Sequence, residues 1–487
     1  MYFDPRSVDV IADQFIGGRR VPGAERREVP SPSDRRIVRE ISWASPDQID
    51  EAVTTARRVW RESGWGTTAP RERAALLYRW ADLVEAHAEE IARLESLVSA
   101  RVYPEVMARD AKVVSGVLRY FGEFSDKIDG SVTPTTKDSL SFTVHEPHGV
   151  VAAIAPWNFP IILAAWKFAP ALAAGNAVVL KPSELTPFAT ARIAELAVEA
   201  GLPAGLFNVV HGDGAVGAAL VKHPGVDYVT FTGSSATGAR IMADAALSGL
   251  KPVSLELGGK GPQLVFADAP DIERLAAVVA RGITYNAGQV CFAGSRLVIE
   301  RSIADSFLDK VKGHMAGGRA GETWADGTTV PPIINDRQLD RIDGIVRDAI
   351  ADGAEAICGA QRVDHEASGF FTPTILRGVT TENRAYREEI FGPVLAVQEF
   401  DDVAEGVALA DHPDYGLTAS VHTADVNKAF RAAQAIESGT VWINDWGRRT
   451  DFTAPFGGYK RSGLGKDMGR AGYEKYTKTK AIWLELS

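Results

Sequence analysis

Short apolar runs alternate with amphipathic stretches between residues 149 and 266. In the stretch 187–200, for example, Ala189, Ile193, Leu196 and Ala200 fall on one helical stripe. Apolar strands separated by amphipathic helices predict βαβ units and a parallel sheet that is covered on both faces. The predicted strands are Val150–Ala155, Ala177–Leu180, Phe207–Val210, Tyr228–Thr232, Val253–Glu256 and Leu264–Phe266. Because such sheets bind ligands at the carboxyl ends of their strands, we expect the following loops to surround one crevice.

The chain outside this region has weaker patterns. Residues 46–98 have helical periodicity, whereas 116–148 look irregular until the alternating segment Ser141–His145, which is typical of a paired strand. A second α/β region follows residue 266, with strands predicted at Arg296–Ile299 and Val394–Phe400. The final apolar strand, Ala481–Leu486, would suit pairing with another subunit.

Composition limits the classes of function. The net charge of −10 over 487 residues argues against a nucleic-acid or anionic-membrane partner, since both need a basic face. The N-terminus has no basic segment followed by an apolar one, so we expect a cytoplasmic protein. Two cysteines, Cys291 and Cys358, are too few for a disulfide scaffold or a cysteine-based zinc cluster. The histidines show no HExxH spacing, and we expect no metal.

Cys291 is the candidate nucleophile. Gly288 and Gly294 lie three residues to either side and allow close approach of the backbone to another group. The alternative is that Cys291 is a small buried apolar residue, which is the interpretation we keep for Cys358. Only ~3% of an ordinary thiol is ionised at neutral pH, so a nucleophilic Cys291 needs activation.

Two other polar residues end or follow predicted strands. Glu256 closes an apolar strand, where it could act as a base or instead pair with Lys251 or Lys260. Asn158 follows the first strand, where its amide could donate into the crevice or instead cap a helix that begins at Phe159.

Two loops are candidates for nucleotide contacts. Lys181 and Glu184 follow the second strand, where a cation and a carboxylate could meet the hydroxyls of a sugar. The segment 233–238 follows the fourth strand and opens a helix, a geometry that can bind phosphate. It is not a GxGxxG sequence and is a weak signal alone. It also does not fit the GxSxG motif of a serine nucleophile.

Taken together, the motifs resemble the aldehyde dehydrogenase superfamily from about residue 14 to the C-terminus, with the nearest similarity to aminoaldehyde and semialdehyde members. The matching blocks are PWNFP (156–160), LKPSE (180–184), FTGS (231–234), LELGGK (255–260), GQVCFAGSR (288–296), EEIFGPV (388–394) and PFGGYKRSG (455–463).

The resemblance implies a role for each matching residue. Cys291 would attack the aldehyde, Asn158 and the Cys291 backbone N–H would bind the oxyanion, and Glu256 would be the general base. NAD would be the cofactor, preferred over NADP because a carboxylate at Glu184 repels a 2′-phosphate. The residues implied in cofactor binding are Trp157, Lys181, Ser183, Glu184, Gly233, Ser234, Glu389 and Phe391. Trp166 would line the substrate tunnel.

The resemblance also implies three units in an α/β fold. These are a Rossmann-like dinucleotide-binding domain (1–122 and 146–257), a catalytic domain (258–455) and a small β oligomerisation arm (123–145 and 456–487). We expect a homodimer or homotetramer.

The segment 444–453 aligns with a variable loop at the substrate entrance. Its Arg448 and Arg449 could hold a carboxylate, and Asp451 could bind an amine; alternatively all three are solvated. Two segments depart from the family pattern, 99–104 at a usual Gly-Lys-Pro turn and 330–333 at a usual Gly-Pro pair. We expect both to lie far from the chemistry.

The expected reaction is NAD-dependent oxidation of a polar-tailed aliphatic aldehyde, an aminoaldehyde or a semialdehyde, through a thiohemiacetal and a thioester on Cys291. A cysteine-dependent ester or thioester hydrolase is one alternative, although hydrolysis needs no ribose contacts. A catalytically silent homologue with a binding role is the other, although Cys291, Asn158 and Glu256 are all present.

Overall fold

The computed structural model describes residues 1–365, 368–447 and 451–486, so Arg448 and Arg449 lie outside the described residues. The α-helices are α1 (Pro46–Glu62), α2 (Pro70–Ala86), α3 (Ala88–Val98), α4 (Tyr103–Phe124), α5 (Pro160–Ala173), α6 (Phe188–Glu199), α7 (Gly214–Lys222), α8 (Ser235–Leu247), α9 (Ile272–Thr284), α10 (Ala304–Met315), α11 (Asp336–Ala351), α12 (Arg384–Arg387), α13 (Val403–Ala410), α14 (Val426–Ala435) and α15 (Gly469–Glu474).

The strands are β1 (Gln14–Ile16), β2 (Arg19–Val21), β3 (Glu25–Pro30), β4 (Ile37–Trp43), β5 (Val132–Thr133), β6 (Ser139–Pro147), β7 (Val150–Ile154), β8 (Ala177–Lys181), β9 (Phe207–Val209), β10 (Tyr228–Thr232), β11 (Val253–Glu256), β12 (Pro262–Val265), β13 (Arg296–Glu300), β14 (Glu355–Cys358), β15 (Arg362–His365), β16 (Ser368–Phe371), β17 (Thr374–Arg377), β18 (Val394–Phe400), β19 (Tyr415–Gly416), β20 (Thr418–His422), β21 (Thr440–Ile443), β22 (Tyr459–Lys460), β23 (Gly463–Leu464) and β24 (Thr477–Glu485).

The first large sheet confirms the predicted parallel core. Its order is β2-β1-β9-β8-β7-β10-β11-β23, and the five strands from β9 to β11 run parallel. Every residue of β7, β8 and β10 is buried, as expected for a sheet with helices on both faces. The loops after these strands therefore open at one edge, where the sequence predicts a crevice.

The second large sheet has the order β14-β17-β18-β13-β12-β20-β21 and is parallel except for β14. The predicted strand at Leu264–Phe266 belongs here, as β12. Cys291 lies in the connection between α9 and β13, and so at the edge of this sheet that faces the first one.

The third sheet joins β24 to β6 and β5, and β24 pairs with β6 along its full length. Much of β24 is exposed; Trp483, for example, retains 68% of its accessible surface. The predicted division into three units stays a prediction. Within the segment assigned to the arm, β23 pairs with β11 of the first sheet and α15 packs on α5.

One sequence prediction about the helices is wrong. Residues 116–124 were expected to be irregular, but α4 continues to Phe124 and buries Val117, Leu118 and Phe121 against α2 and α5. The residues from 46 to 98 form three helices, broken at Gly64, whose φ is +64°, and at His87. Among the described residues, no helix is long and apolar enough to cross a membrane.

Candidate active site

Asn158 lies buried in the loop after β7. Its Nδ2 donates a hydrogen bond of 3.1 Å to the carbonyl of Gln289, two residues before Cys291. The alternative that Asn158 caps a helix is wrong, because α5 begins at Pro160 and its N-cap is Phe159, without a side-chain cap. One amide hydrogen is therefore anchored on the cysteine loop, and the second is left to meet a ligand.

The loop that carries Cys291 is tightly wound. Asn286, Ala287 and Gly288 have φ values of +49°, +50° and +69°, in the left-handed region that non-glycine residues seldom occupy. A Cβ on Gly288 would lie 2.1 Å from the carbonyl oxygen of Gly392. Close contact with the segment after Phe391 thus requires glycine, and such backbone strain is typical of functional sites.

The Cys291 thiol is held in its protonated form. Burial, with smaller contributions from the nearby Glu389 and Glu256, raises its pKa to about 12, although the backbone N–H groups of Phe292 and Cys291 oppose the shift. A proton must therefore be removed from Cys291 before it can act as a nucleophile.

Glu256 ends β11 and is buried, and neither carboxylate oxygen has a hydrogen-bond partner among the described residues. The predicted alternative partner Lys251 donates instead to the carbonyls of Val221 and His223, at 2.6 and 2.7 Å. Lys260 Nζ is buried and makes no hydrogen bond to the described residues. A buried carboxylate without a partner is costly and suggests a chemical role.

A buried charge cluster adjoins Glu256. Asp467 pairs with Lys167 Nζ at 3.5 Å and with Lys475, whose Nζ also donates to Ser254 Oγ at 3.2 Å. Burial raises the pKa of Glu256 well above its usual range, and Asp467 adds to the rise, whereas Lys475, Lys167 and Lys466 oppose it. Sequence reasoning missed this cluster, although one lysine inside the otherwise apolar helix α5 was a signal.

The segment 258–259 lies in close contact with both Glu389 and Cys291. A Cβ on Gly258 would lie 2.0 Å from Glu389 Oε2, and the Gly259 N–H donates to Glu389 Oε1 at 3.0 Å. A Cβ on Gly259 would lie 2.6 Å from the carbonyl oxygen of Cys291. Glu256, Cys291 and Glu389 are thus gathered around one short loop, with the pKa of Glu389 raised to about 7 by burial.

The predicted ribose contacts follow β8. Lys181 is buried, and its Nζ donates to the Pro182 carbonyl at 2.9 Å and lies 3.7 Å from Glu184 Oε2. Ser183 is also buried, and its Oγ accepts from the Leu185 N–H at 3.2 Å. Glu184 is exposed, so its carboxylate is free to accept from hydroxyl groups at the crevice.

The predicted phosphate loop follows β10. Ser234 is the N-cap of α8, and its Oγ accepts from the Thr237 N–H at 3.3 Å. A Cβ on Gly233 would lie 2.3 Å from the Phe231 ring, so only glycine fits at this turn. The uncapped N–H groups at the start of α8 suit a pyrophosphate. These residues and the ribose contacts fit a dinucleotide.

Trp157 and Phe391 meet at the mouth of the crevice. Their rings are 5.3 Å apart in a T-shaped arrangement, and Phe391 has a left-handed φ of +57°. The contact brings the loop after β7 to the segment that carries Glu389.

Aromatic rings surround the other side of Cys291. Trp166 contacts Phe456 at 5.6 Å between ring centroids, and Phe292 lies 6.1 Å from Phe456 and 5.7 Å from Trp446. Asp451 is exposed, and its Oδ1 accepts from the N–H and hydroxyl of Thr453. No cluster of metal-binding side chains occurs in the part of the chain that the structure describes.

A cysteine beside an amide donor and a buried carboxylate, at the open edge of a dinucleotide-type sheet, defines a covalent oxidoreductase. Comparison with known proteins agrees. The sequence profile of the aldehyde dehydrogenase family matches residues 21–482. The NADP/NAD-dependent aldehyde dehydrogenase PuuC of Escherichia coli K12 is 41% identical over 475 residues, covering 97% of this chain and 95% of PuuC.

Solved structures give the same result. An indole-3-acetaldehyde dehydrogenase in complex with NAD⁺ has a TM-score of 0.97 and 40% identity, covering 99% of this chain and 98% of its own. The gamma-glutamyl-gamma-aminobutyraldehyde dehydrogenase of Burkholderia cenocepacia has a TM-score of 0.97 and 39% identity, and the match again covers 99% of this chain and 98% of its own. The chain belongs to the aldehyde dehydrogenase family, and it is an oxidoreductase that uses NAD.

Proposed function

We propose that this protein oxidises aldehydes to carboxylic acids with NAD as the oxidant, with Cys291 as nucleophile, Asn158 as oxyanion donor and Glu256 as general base. The observation that carries the proposal is the 3.1 Å bond from Asn158 Nδ2 to the Gln289 carbonyl, which ties the donor to the loop of the nucleophile. The unpartnered carboxylate of Glu256 supports the role of base.

The first half-reaction forms a covalent adduct. Glu256, with its raised pKa, is a stronger base than an exposed glutamate and can take the Cys291 proton. The thiolate then attacks the aldehyde carbon, and the carbonyl electrons move to oxygen. The Asn158 amide and the Cys291 N–H donate to that oxyanion, and one such donor is worth ~10²–10³ in rate.

The second half-reaction releases the acid. When bound, NAD supplies the acceptor for the hydride that leaves the thiohemiacetal carbon. After Glu256 has released the Cys291 proton to solvent, it removes a proton from water, which attacks the thioester carbon; the carbon–sulfur bond breaks and Cys291 leaves as thiolate. Glu389 and Phe391 would hold the nicotinamide half of the cofactor, with Trp157 at their side. Lys181, Ser183, Glu184, Gly233 and Ser234 would hold the adenosine half, with Glu184 favouring NAD over NADP.

The proposed substrates are polar-tailed aliphatic aldehydes, an aminoaldehyde or a semialdehyde. The exposed carboxylate of Asp451 supports an amine-bearing tail, and one similar structure is named for gamma-glutamyl-gamma-aminobutyraldehyde. The rings of Trp166, Phe292 and Phe456 favour an aryl-substituted aldehyde as the second candidate, in line with the relative named for indole-3-acetaldehyde.

The proposed assembly is a cytoplasmic homodimer or homotetramer. The support is the exposed strand β24, whose Trp483 and Leu484 retain 68% and 50% of their accessible surface. Exposed apolar side chains along one strand are typical of a surface that another subunit covers.

The test is NADH formation with a panel of amino-, carboxy- and aryl-substituted aldehydes. Cys291→Ala should abolish NADH formation, and Cys358→Ala, the matched control, should leave kcat unchanged. Glu256→Gln should slow both the first release of NADH and the steady-state turnover, because it removes the base for the Cys291 proton and for thioester hydrolysis. No NADH with every aldehyde, together with retained hydrolysis of esters, would instead establish a hydrolase.

A further inference from the structure

The two segments that depart from the family pattern are not remote from the chemistry, contrary to expectation. In the segment 330–333, the Pro332 carbonyl accepts from Gln289 Nε2 at 3.2 Å. In the segment 99–104, Arg101 is fully buried, and its guanidinium carbon lies 4.5 Å from the centroid of the Phe159 ring. Phe159 follows Asn158 directly in the chain.

Arg101 belongs to a buried ionic cluster with Glu95 of α3 and Asp110 of α4. Arg101 and Asp110 form an ion pair in which neither side chain is exposed, and Glu95 is 1% exposed. Replacing a buried ion pair by apolar residues is often neutral or stabilising, so such a cluster is weak evidence for a role in stability. Its location suggests a different role.

Arg101 contacts the residue that follows Asn158. The Arg101 guanidinium lies over the face of the Phe159 ring, a cation–π contact that is stronger when it is buried away from water. Burial raises the pKa of the Glu95 carboxyl to about 8, and the backbone N–H of Ile161, in the first turn of α5, opposes the rise.

The loop that leads to Cys291 also contacts Phe159 and Asn158. Phe159 stacks on Tyr285 at 6.0 Å, and the Tyr285 hydroxyl accepts from Arg109 Nη1 at 2.7 Å. Asn286 Nδ2 donates to the Asn158 carbonyl at 3.4 Å. The loops that carry Asn158 and Cys291 are therefore linked by one connected set of contacts, which includes Arg101 and Arg109.

We propose that Arg101 is a positioning residue: held by Asp110, it fixes the Phe159 ring and through it the direction of the Asn158 amide. This inference rests on the proposed role of Asn158 as oxyanion donor. An oxyanion donor acts only when it lies 2.7–3.1 Å from the developing charge, and a displacement of about 1 Å can cost ~10²-fold in rate.

The experiment is a double-mutant cycle in the full-length enzyme, with kcat from NADH formation, KM for NAD and the unfolding temperature measured for each variant. The single variants are Arg101→Met, Arg101→Lys, Phe159→Leu and Asn158→Ala. Each of the first three is also combined with Asn158→Ala to give a double variant. Arg119→Met is the matched control, because it removes an arginine of α4 whose ion pair with Asp82 of α2 is partly exposed.

We expect Arg101→Met and Phe159→Leu to lower kcat ~10-fold, with KM for NAD unchanged. This loss is smaller than the ~10²–10³-fold loss expected when the oxyanion donor itself is removed. Arg101→Lys keeps a cation beside Asp110 and Phe159 and should restore kcat to within about 3-fold of the parent. In the Asn158→Ala background, Arg101→Met and Phe159→Leu should lower kcat no further, because the group they orient is gone.

Two results would overturn different statements. A parental kcat in Asn158→Ala would refute the proposed function of Asn158, and the inference with it. A lowered kcat in Asn158→Ala that falls a further ~10-fold with either second substitution would refute the inference alone. If Arg101→Met does not fold, Phe159→Leu carries the cycle, because it leaves the ion pair intact.

Discussion

Gly258→Ala tests how closely the loop after β11 sets the cofactor site. The new Cβ would lie 2.0 Å from Glu389 Oε2 and 2.7 Å from Glu389 Cδ, where real Cβ contacts are at least 3.0 Å. The carboxylate must retreat by about 1 Å, which also disrupts the 3.0 Å bond from the Gly259 N–H. Because the obstructing atoms end a flexible side chain, the protein should still fold.

A displacement of this size should lower kcat/KM for NAD by ~10–100-fold. The assay is stopped-flow NADH absorbance with the aldehyde and its deuterated form, since a misplaced nicotinamide makes hydride transfer slower and increases the isotope effect. Gly313→Ala is the control, because no atom lies within 4 Å of its Cβ and alanine stabilises a helix by about 0.5–1 kcal/mol. Parental kinetics in Gly258→Ala would refute the placement of Glu389 in cofactor binding.

Three further predictions concern separate parts of the molecule. Asp467→Asn should move the rising limb of the pH–kcat profile to lower pH, because an ionised Asp467 raises the pKa of Glu256 and the base must be ionised to act; an unmoved limb would exclude Glu256 as that base. Glu184→Ala should lower the ratio of kcat/KM for NAD over NADP by about 10-fold, since it removes a carboxylate that repels a 2′-phosphate; an unchanged ratio would place the ribose elsewhere. Trp483→Glu should shift the sedimentation coefficient toward that of a smaller species with the unfolding temperature of the subunit retained, whereas an unchanged coefficient would remove β24 from the interface.

The sequence predicted the parallel core well, because continuous apolar strands between amphipathic helices have few alternative arrangements. The strand at 228–232 and the strand at 394–400 agree with the structure to the residue. The end of α4 was missed, because Gly116 and Gly122 interrupt a stripe that β-branched valines already make ambiguous. Only packing against α2 and α5 decides that this segment is helical.

The site residues that lie within sequence motifs could be predicted from the sequence. The residues that act through contacts between distant segments could not. Asn158 and Glu256 lie at the carboxyl ends of β7 and β11 in the first sheet, and Cys291 lies within a motif in the connection that precedes β13 of the second sheet. Lys475 and Asp467 reach Glu256 only through the tertiary fold, and Arg101 reaches Phe159 from a segment 58 positions earlier in the chain. No periodicity or spacing in the sequence encodes these contacts.

The hydrogen bond from Asn158 to the Gln289 carbonyl has a dynamic consequence. Because the donor is bonded two residues from the nucleophile, a rigid movement of the cysteine loop carries both groups together. The separation between the attacking sulfur and the amide that receives the oxyanion is then insensitive to such movement. The geometry of attack is therefore set within one hydrogen-bonded unit, and it depends little on how the rest of the crevice contacts the aldehyde.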